Sequence, residues 1–344
     1  MKVLHILNTD RYSGAENVAC QIIEMFADTP DVEMVYCSRD GQIRETLSMK
    51  NIKFDPIEKV SVSEIRRLVR KHNPDVLHCH DFYASTFAAL AKPKARIVSH
   101  LHHNSPWMQH AEPRSILYRL TLNRYDCVLA VSQAIFDEYI FSDRIQKKFV
   151  VGNPVNISEL SRQYSENAEK DIDLLYLGRL SGEKDPMRFI KLVESLIPDF
   201  PELNAALVGD GEQYTQCAEY IASHKLENNI KMYGFQKDVS TFLNRSKIGA
   251  NTSKWEGFGL SVLENLSYGI PVAASAVGGL KDIVEDSCGR LCTEDSEYLE
   301  EIKKLLSDES YYQNKHANAF HVAKKLENIE QYKDILWNIY TAQV

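Results

Sequence analysis

Glu256 and Glu264 stand eight residues apart, with Gly257, Phe258, Gly259, Leu260 and Ser261 between them. The segment leaves an apolar run at 248–251 and enters a helical pattern at 261–268. Glycine lets backbone approach a ligand closely. A helix opening here presents free N–H groups and a positive dipole end, a ready site for phosphate. A carboxylate beside a phosphate would repel it, so Glu264 suits another partner. A ribose diol fits, because one carboxylate accepts from both hydroxyls. Glu256, on the loop, reaches a second sugar. The competing reading makes both of them surface glutamates around a glycine turn.

A second cluster, Gly178-Arg179-Leu180-Ser181-Gly182-Glu183-Lys184, places two cations five residues apart after the apolar run 173–177. Arg179 and Lys184 together could neutralise a departing diphosphate without a metal ion, or they could be a solvated, salt-bridged loop. Ser13-Gly14-Ala15-Glu16 and Val208-Gly209-Asp210-Gly211 also follow apolar runs, but neither is a GxGxxG fingerprint, and an ordinary tight turn accounts for each. The pairs His78/His80 and His100/His102, with His103, end two further runs. Zinc, satisfied polar groups at strand ends, and one active-site histidine with bystanders are the three readings. No acidic or cysteine ligand joins these histidines at a recognisable spacing, so no metal is expected.

The elements that must hold these loops alternate along the chain. Strands are expected at 3–7, 32–37, 75–80, 96–101 and 127–131, with helices at 16–26 and 62–72. The pattern restarts after Gly152-Asn153-Pro154 and a polar stretch at 158–170. Strands at 173–177, 205–208, 231–233, 248–251 and 272–275 follow, with helices at 186–196 and 261–268 and helical sequence after Glu294. Such alternation implies parallel sheets with helices on both faces. The expected fold class is α/β, with two doubly wound Rossmann-like domains at 1–158 and 159–330, facing a cleft. Ligands in such sheets bind at the carboxyl ends of the strands, where the loops above lie.

Bulk properties agree with two soluble domains. The chain has 344 residues, more than one core usually serves, with 44% apolar and 26% charged residues. Residues 1–150 carry 20 Lys+Arg against 18 Asp+Glu, and residues 151–344 carry 20 against 30. The acidic second half argues against nucleic acid as a partner. Seven cysteines without a CxxC pair suggest reduced, buried thiols in a cytosolic protein. The N-terminal apolar run is too short for a signal peptide, and no stretch reaches the ~20 apolar residues of a membrane span.

Taken together, the segments resemble retaining glycosyltransferases of the GT-B fold, specifically family 4. The resemblance rests on Glu256 to Glu264 with Gly257-Phe258-Gly259, on Gly178-Arg179-Leu180 through Glu183-Lys184, on Val208-Gly209-Asp210-Gly211, and on Gly278-Gly279 before Asp282-Ile283-Val284. It implies a nucleotide-sugar donor (a UDP- or GDP-sugar), no cofactor and no required metal. Arg179 and Lys184 would bind the pyrophosphate and Glu264 the ribose. Glu256 would contact the transferred sugar, and the backbone from Phe258 to Ser261 would line phosphate and sugar. Gly14 would let its loop close over the diphosphate. Gly209 would belong to the donor site, with Gly234-Phe235 near the base. His102 matches the family's active-site histidine, with His103 as competitor. The last helix, within 331–344, would cross back to the first domain.

The sequence departs from that pattern twice. Ser13 replaces the first of two glycines, and Asn153-Pro154-Val155-Asn156 stands where relatives often read Asn-Gly-Val-Asp. The implied acceptor is a glycan or lipid-linked glycan in surface polysaccharide or glycolipid synthesis, chosen by loops such as 104–118. The implied location is the cytoplasm or the inner membrane face, where Arg66, Arg67, Arg70 and Lys71 on one helix would meet anionic lipid. A sugar-nucleotide epimerase and a non-catalytic sugar-nucleotide-binding protein are the rival readings.

Overall fold

The computed structural model describes residues 1–103 and 105–343. The chain divides into two compact units: Met1–Pro154 with the C-terminal stretch from Asn328, and Val155–Glu327. The sequence reading set these limits at 158 and 331. Asn104, which heads the loop 104–118, and Val344, which ends the stretch 331–344, lie outside the described residues.

In the first unit, β1 (Lys2–Ile6), β2 (Glu33–Cys37), β3 (Val76–His80), β4 (Arg96–Leu101), β5 (Cys127–Ala130) and β6 (Lys148–Val150) form one sheet in the order β2-β1-β3-β4-β5-β6. Every pairing is parallel. Side chains alternate between the faces of a strand. Leu4, Ile6, Leu77 and Cys79 therefore share one core with Ile65 and Leu68 of the helix Val62–His72 and Ala84 and Ala88 of the helix Asp81–Ala91. Val3, Val76 and Val98 share the other with Val18, Ile22 and Phe26. This second core is closed by the helix Ile329–Tyr340, whose Tyr332, Leu336, Ile339 and Tyr340 are all buried.

In the second unit, β7 (Ile172–Leu177), β8 (Ala205–Val208), β9 (Ile230–Gly234), β10 (Ser246–Asn251), β11 (Val272–Ser275) and β12 (Gly289–Cys292) form a parallel sheet in the order β12-β11-β10-β7-β8-β9. The chain winds outward from β7 through β8 to β9, then returns to β10 on the other side of β7. The carboxyl ends of β7 and β10 thus lie side by side where the winding direction reverses, the place where such sheets bind ligands. The helices Pro186–Leu196 and Asp295–Ser307 pack on one face through Phe189, Val193, Tyr298 and Ile302. Leu263 and Leu266 of the helix Leu260–Ser267 pack with Val272 and Ala274 of β11.

Candidate functional site

The loops after β7 and β10 are tied together by groups that read each other's backbone. The buried Tyr176 donates its hydroxyl to the carbonyls of Arg179 (3.0 Å) and Lys184 (3.4 Å). Thr252 donates to the carbonyls of Lys184 (3.2 Å) and Asp185 (2.8 Å), and the Lys254 amide donates to the Glu183 carbonyl at 2.7 Å. Asp185 accepts from the Arg188 amide and caps the helix that begins at Pro186.

This frame brings Lys184 and Glu256 into contact. The ammonium lies 2.5 Å from Glu256 Oε2, and Ser253 donates to the same oxygen at 3.3 Å. The Glu256 side chain is only 11% exposed, so its charge is held by the pair and not by water. The sequence reading gave Lys184 to a phosphate and Glu256 to a sugar; in the structure they are one charge-compensated unit. Arg179 is exposed and makes no ion pair among the described residues, so its guanidinium is available.

Close backbone packing sets the rest of the site. A Cβ at Gly209 would lie 1.8 Å from the Gly178 carbonyl oxygen, and the residue has φ +146°. Only glycine lets the loop after β8 lie against the loop after β7. Gly259, with φ +107°, caps the helix Leu260–Ser267 and turns the chain into it after Gly257 and Phe258. Leu260 and Ser261 open that helix, and Glu264 lies one turn further in. Glu264 is half-buried, and burial pushes its carboxyl up to about 7. No cation pairs with it among the described residues. Gly234 ends β9 with φ +65°, and Phe235 beyond it is 75% exposed, a large apolar ring left in solvent.

In the first unit, Gly14 opens the helix Gly14–Met25 with no neighbour within 4 Å of a Cβ position. The hydroxyl of Ser13 donates to Glu16 Oε2, so the serine found in place of glycine has a partner. Burial raises the Glu16 carboxyl. His102 is buried, its backbone N–H donates to Asp81 Oδ1 at 2.9 Å, and its Nε2 lies 2.9 Å from His80 Nδ1. His103 is exposed and lies 3.8 Å from Asp81 Oδ2.

The sequence reading missed His5 and Asp81. His5 sits in β1 directly beside His78 in β3, and His80 sits beside His100 in β4. Registering the two His-x-His runs against β1 is the signal that finds His5. The basic helix Val62–His72 is anchored from below. Arg67 and Lys71 are drawn onto the buried Asp55 at 3.5 and 2.8 Å, and Ile65 and Leu68 face the core. Two of the four cations offered to a membrane therefore already have an internal partner. No helix among the described residues is long and apolar enough to cross a membrane. All seven cysteines are buried and free.

Two family models match in tandem, "Glycosyltransferase Family 4" over residues 12–159 and "Glycosyl transferases group 1" over residues 158–322. A lipopolysaccharide 1,6-galactosyltransferase of Salmonella typhimurium is 26% identical over 88% of this chain and 89% of its own. An Escherichia coli UDP-Gal:alpha-D-GlcNAc-diphosphoundecaprenol alpha-1,3-galactosyltransferase is 20% identical over 98% of each. HepE of Anabaena, solved in complex with UDP, superposes with a TM-score of 0.85 at 22% identity, over 99% of this chain and 100% of HepE.

Proposed function

Because the chain belongs to the group 1 glycosyltransferases of family 4, we propose that it moves a hexose from a UDP- or GDP-sugar to a hydroxyl of a glycan or lipid-linked glycan, with retention and without a metal. The observation that carries this reading is the joining of Lys184, Glu256 and an available Arg179 where β7 and β10 end together. Transfer begins when an acceptor hydroxyl attacks the anomeric carbon as the bond to the diphosphate breaks. Charge develops on the leaving phosphate, and fixed cations that strengthen their hold there lower the barrier. Arg179, Lys184 and the amides at the start of the helix Leu260–Ser267 supply that hold. Glu256 keeps Lys184 aimed and accepts from a hydroxyl of the sugar. The departing phosphate oxygen takes the acceptor's proton, so no separate base is required. Relatives that act on lipopolysaccharide and on a diphosphoundecaprenol-linked sugar support this choice of acceptor class.

Thermal melts with UDP-, GDP- and ADP-sugars test the donor. One uridine or guanosine donor should raise Tm by several degrees at millimolar concentration. EDTA should leave the shift and the turnover unchanged, and the new linkage should keep the donor's anomeric configuration. If no nucleotide sugar moves Tm and none is consumed in the presence of lipid-linked acceptors, the reading fails.

Glu264 gives donor binding a pH signature. Its carboxyl sits near 7 in the free protein, and two ribose hydroxyls would stabilise only the ionised form. Binding below pH 7 should therefore release a proton, with affinity rising up to about pH 7 and then levelling. The same shift acts against folding. A raised carboxyl costs nothing below pH 4.5, and the cost grows through the 4.5–7 window to its full value above 7. Glu264→Gln should thus stabilise the fold at pH 8 by about 1–2 kcal/mol, discounted because the side chain is half-buried, while weakening the donor. Calorimetry in buffers of different ionisation enthalpy reads the proton; none released at pH 6 would remove Glu264 from the ribose.

A further inference from the structure

Five imidazoles, His5, His78, His80, His100 and His102, lie together on the face of the first sheet that also carries Val3, Val76 and Val98. All five are at most 6% exposed. They form two hydrogen-bonded strings. In one, His78 joins the Tyr340 hydroxyl at 2.5 Å and His100 Nδ1 at 3.0 Å. In the other, His102 Nε2 meets His80 Nδ1 at 2.9 Å, and His80 Nε2 meets His5 Nδ1 at 3.1 Å. The second string ends blind, because His5 Nε2 is buried with no partner. Its other end is open: His102 Nδ1 has no partner among the described residues and is not one of their sealed polar atoms.

A metal could in principle sit in the triplets His5/His78/His80 or His80/His100/His102, whose nitrogens lie within 4.8 Å of one another. Ligand nitrogens on a tetrahedral zinc stand roughly 3.3 Å apart, given Zn–N bonds of about 2.0–2.1 Å. The contacts of 2.9 and 3.1 Å are shorter and are those of N–H···N hydrogen bonds. Both nitrogens of His80 are already engaged.

A string of neutral imidazoles has one proton per ring, so its blind end sets its direction. If His5 carried its proton on Nε2, an N–H would be buried with nothing to accept it. If the proton is on Nδ1, only a lone pair is left bare. Orphan buried N–H groups are rarer and costlier than under-used acceptors. His5 Nδ1–H therefore donates to His80 Nε2, and His80 Nδ1–H donates to His102 Nε2. The one proton of His102 is then left on Nδ1, at the open end. We propose that His80 and His5 are positioning residues that hold His102 as the neutral Nδ1–H tautomer, a fixed hydrogen-bond donor for a substrate oxygen and not a base. Burial keeps the five rings neutral, with His5 down to about 3 and the other four well below the usual histidine value. Asp81 favours a positive charge on His102, while the neighbouring His100 and His103 oppose one. The inference rests on the reading that His102 meets a substrate sugar.

Long-range 15N NMR of the histidine-labelled, unliganded protein reads the tautomer directly. Between pH 6 and 8, His102 Nδ1 should be pyrrole-like and Nε2 pyridine-like. A proton on Nε2, an imidazolium, or a stoichiometric metal by elemental analysis of the protein as purified would overturn the proposal. His80→Phe removes the donor to His102 Nε2. It should lower kcat about 10- to 100-fold with the donor KM within about threefold, as expected for loss of one oriented donor. The His102 signals should then become a tautomeric mixture, and His80→Gln, whose amide still donates, should restore most of the turnover. A His80→Phe protein with unchanged signals and unchanged kcat would sink the proposal. The spectrum is taken without substrate, so it decides the tautomer even if no nucleotide sugar is turned over, which would count against the functional reading alone.

Discussion

Lys184→Ala should reduce sugar transfer by about two to three orders of magnitude, the usual loss when one preorganised group at a developing negative charge is removed. Most of that loss should appear in kcat, because the charge on the diphosphate grows as the bond breaks. Lys184 is not a floppy surface lysine. Its carbonyl is held by Tyr176 and Thr252, and its ammonium is held by Glu256 at 2.5 Å. Truncation also strands a carboxylate whose side chain is 11% exposed, which should cost the fold about 1–2 kcal/mol. The double variant Lys184→Ala/Glu256→Gln separates the two effects. It should recover the melting temperature while remaining slow. Lys184→Ala within threefold of the parent rate, with saturating donor, would show that the β7 loop does not serve the leaving group.

Gly209→Ala should damage the protein more broadly. The added carbon would lie 1.8 Å from the Gly178 carbonyl oxygen and 2.8 Å from its carbon, and both belong to backbone. That backbone cannot move alone, because the Gly178 amide is bonded to the Val208 carbonyl and the Gly209 amide to the Gly234 carbonyl. The φ of +146° adds strain that no L-side chain relieves. A loss of about 3 kcal/mol or more is expected, with the loops after β7 and β8 displaced and nucleotide binding lost. Gly14→Ala is the control, since its Cβ would meet open space. Urea melts of the two variants decide the matter. Equal midpoints would mean that the close approach at Gly209 relaxes without cost.

The sequence reading succeeded where burial is two-sided. Strands such as β1, β3 and β8 lie inside parallel sheets and read as short, mostly apolar runs. It failed at β6 and β12, which lie at sheet edges. Lys148-Phe149-Val150 has three residues with none buried, and Gly289-Arg290-Leu291-Cys292 opens on glycine and arginine. Only pairing with β5 and β11 makes them strands. In the candidate site, residue types and chain order were legible because loops after strands carry them. Pairing across strands was not. Nothing in the spacing of Lys184 and Glu256, 72 positions apart, states that they touch; the adjacency of β7 and β10 does. The string of histidines was hidden for the same reason, since a lone His5 in an apolar run gains meaning only from its register with His78.

The helix Ile329–Tyr340 follows the whole second unit in sequence, yet it fills the core of the first unit. Tyr332, Leu336, Ile339 and Tyr340 cover the same core as Val3, Val18 and Phe26, and burial of each apolar side chain contributes roughly 1.5–3 kcal/mol. The first half of the polypeptide therefore leaves the ribosome with one side of its sheet uncovered, and Tyr340 reaches His78 only after the whole second unit has been made. The second unit, contiguous in sequence, can reach its native packing while the first still waits. A nascent chain of this design keeps its first-made core open to aggregation and to chaperones for as long as the second unit takes to be made, and it closes that core with a helix from beyond it.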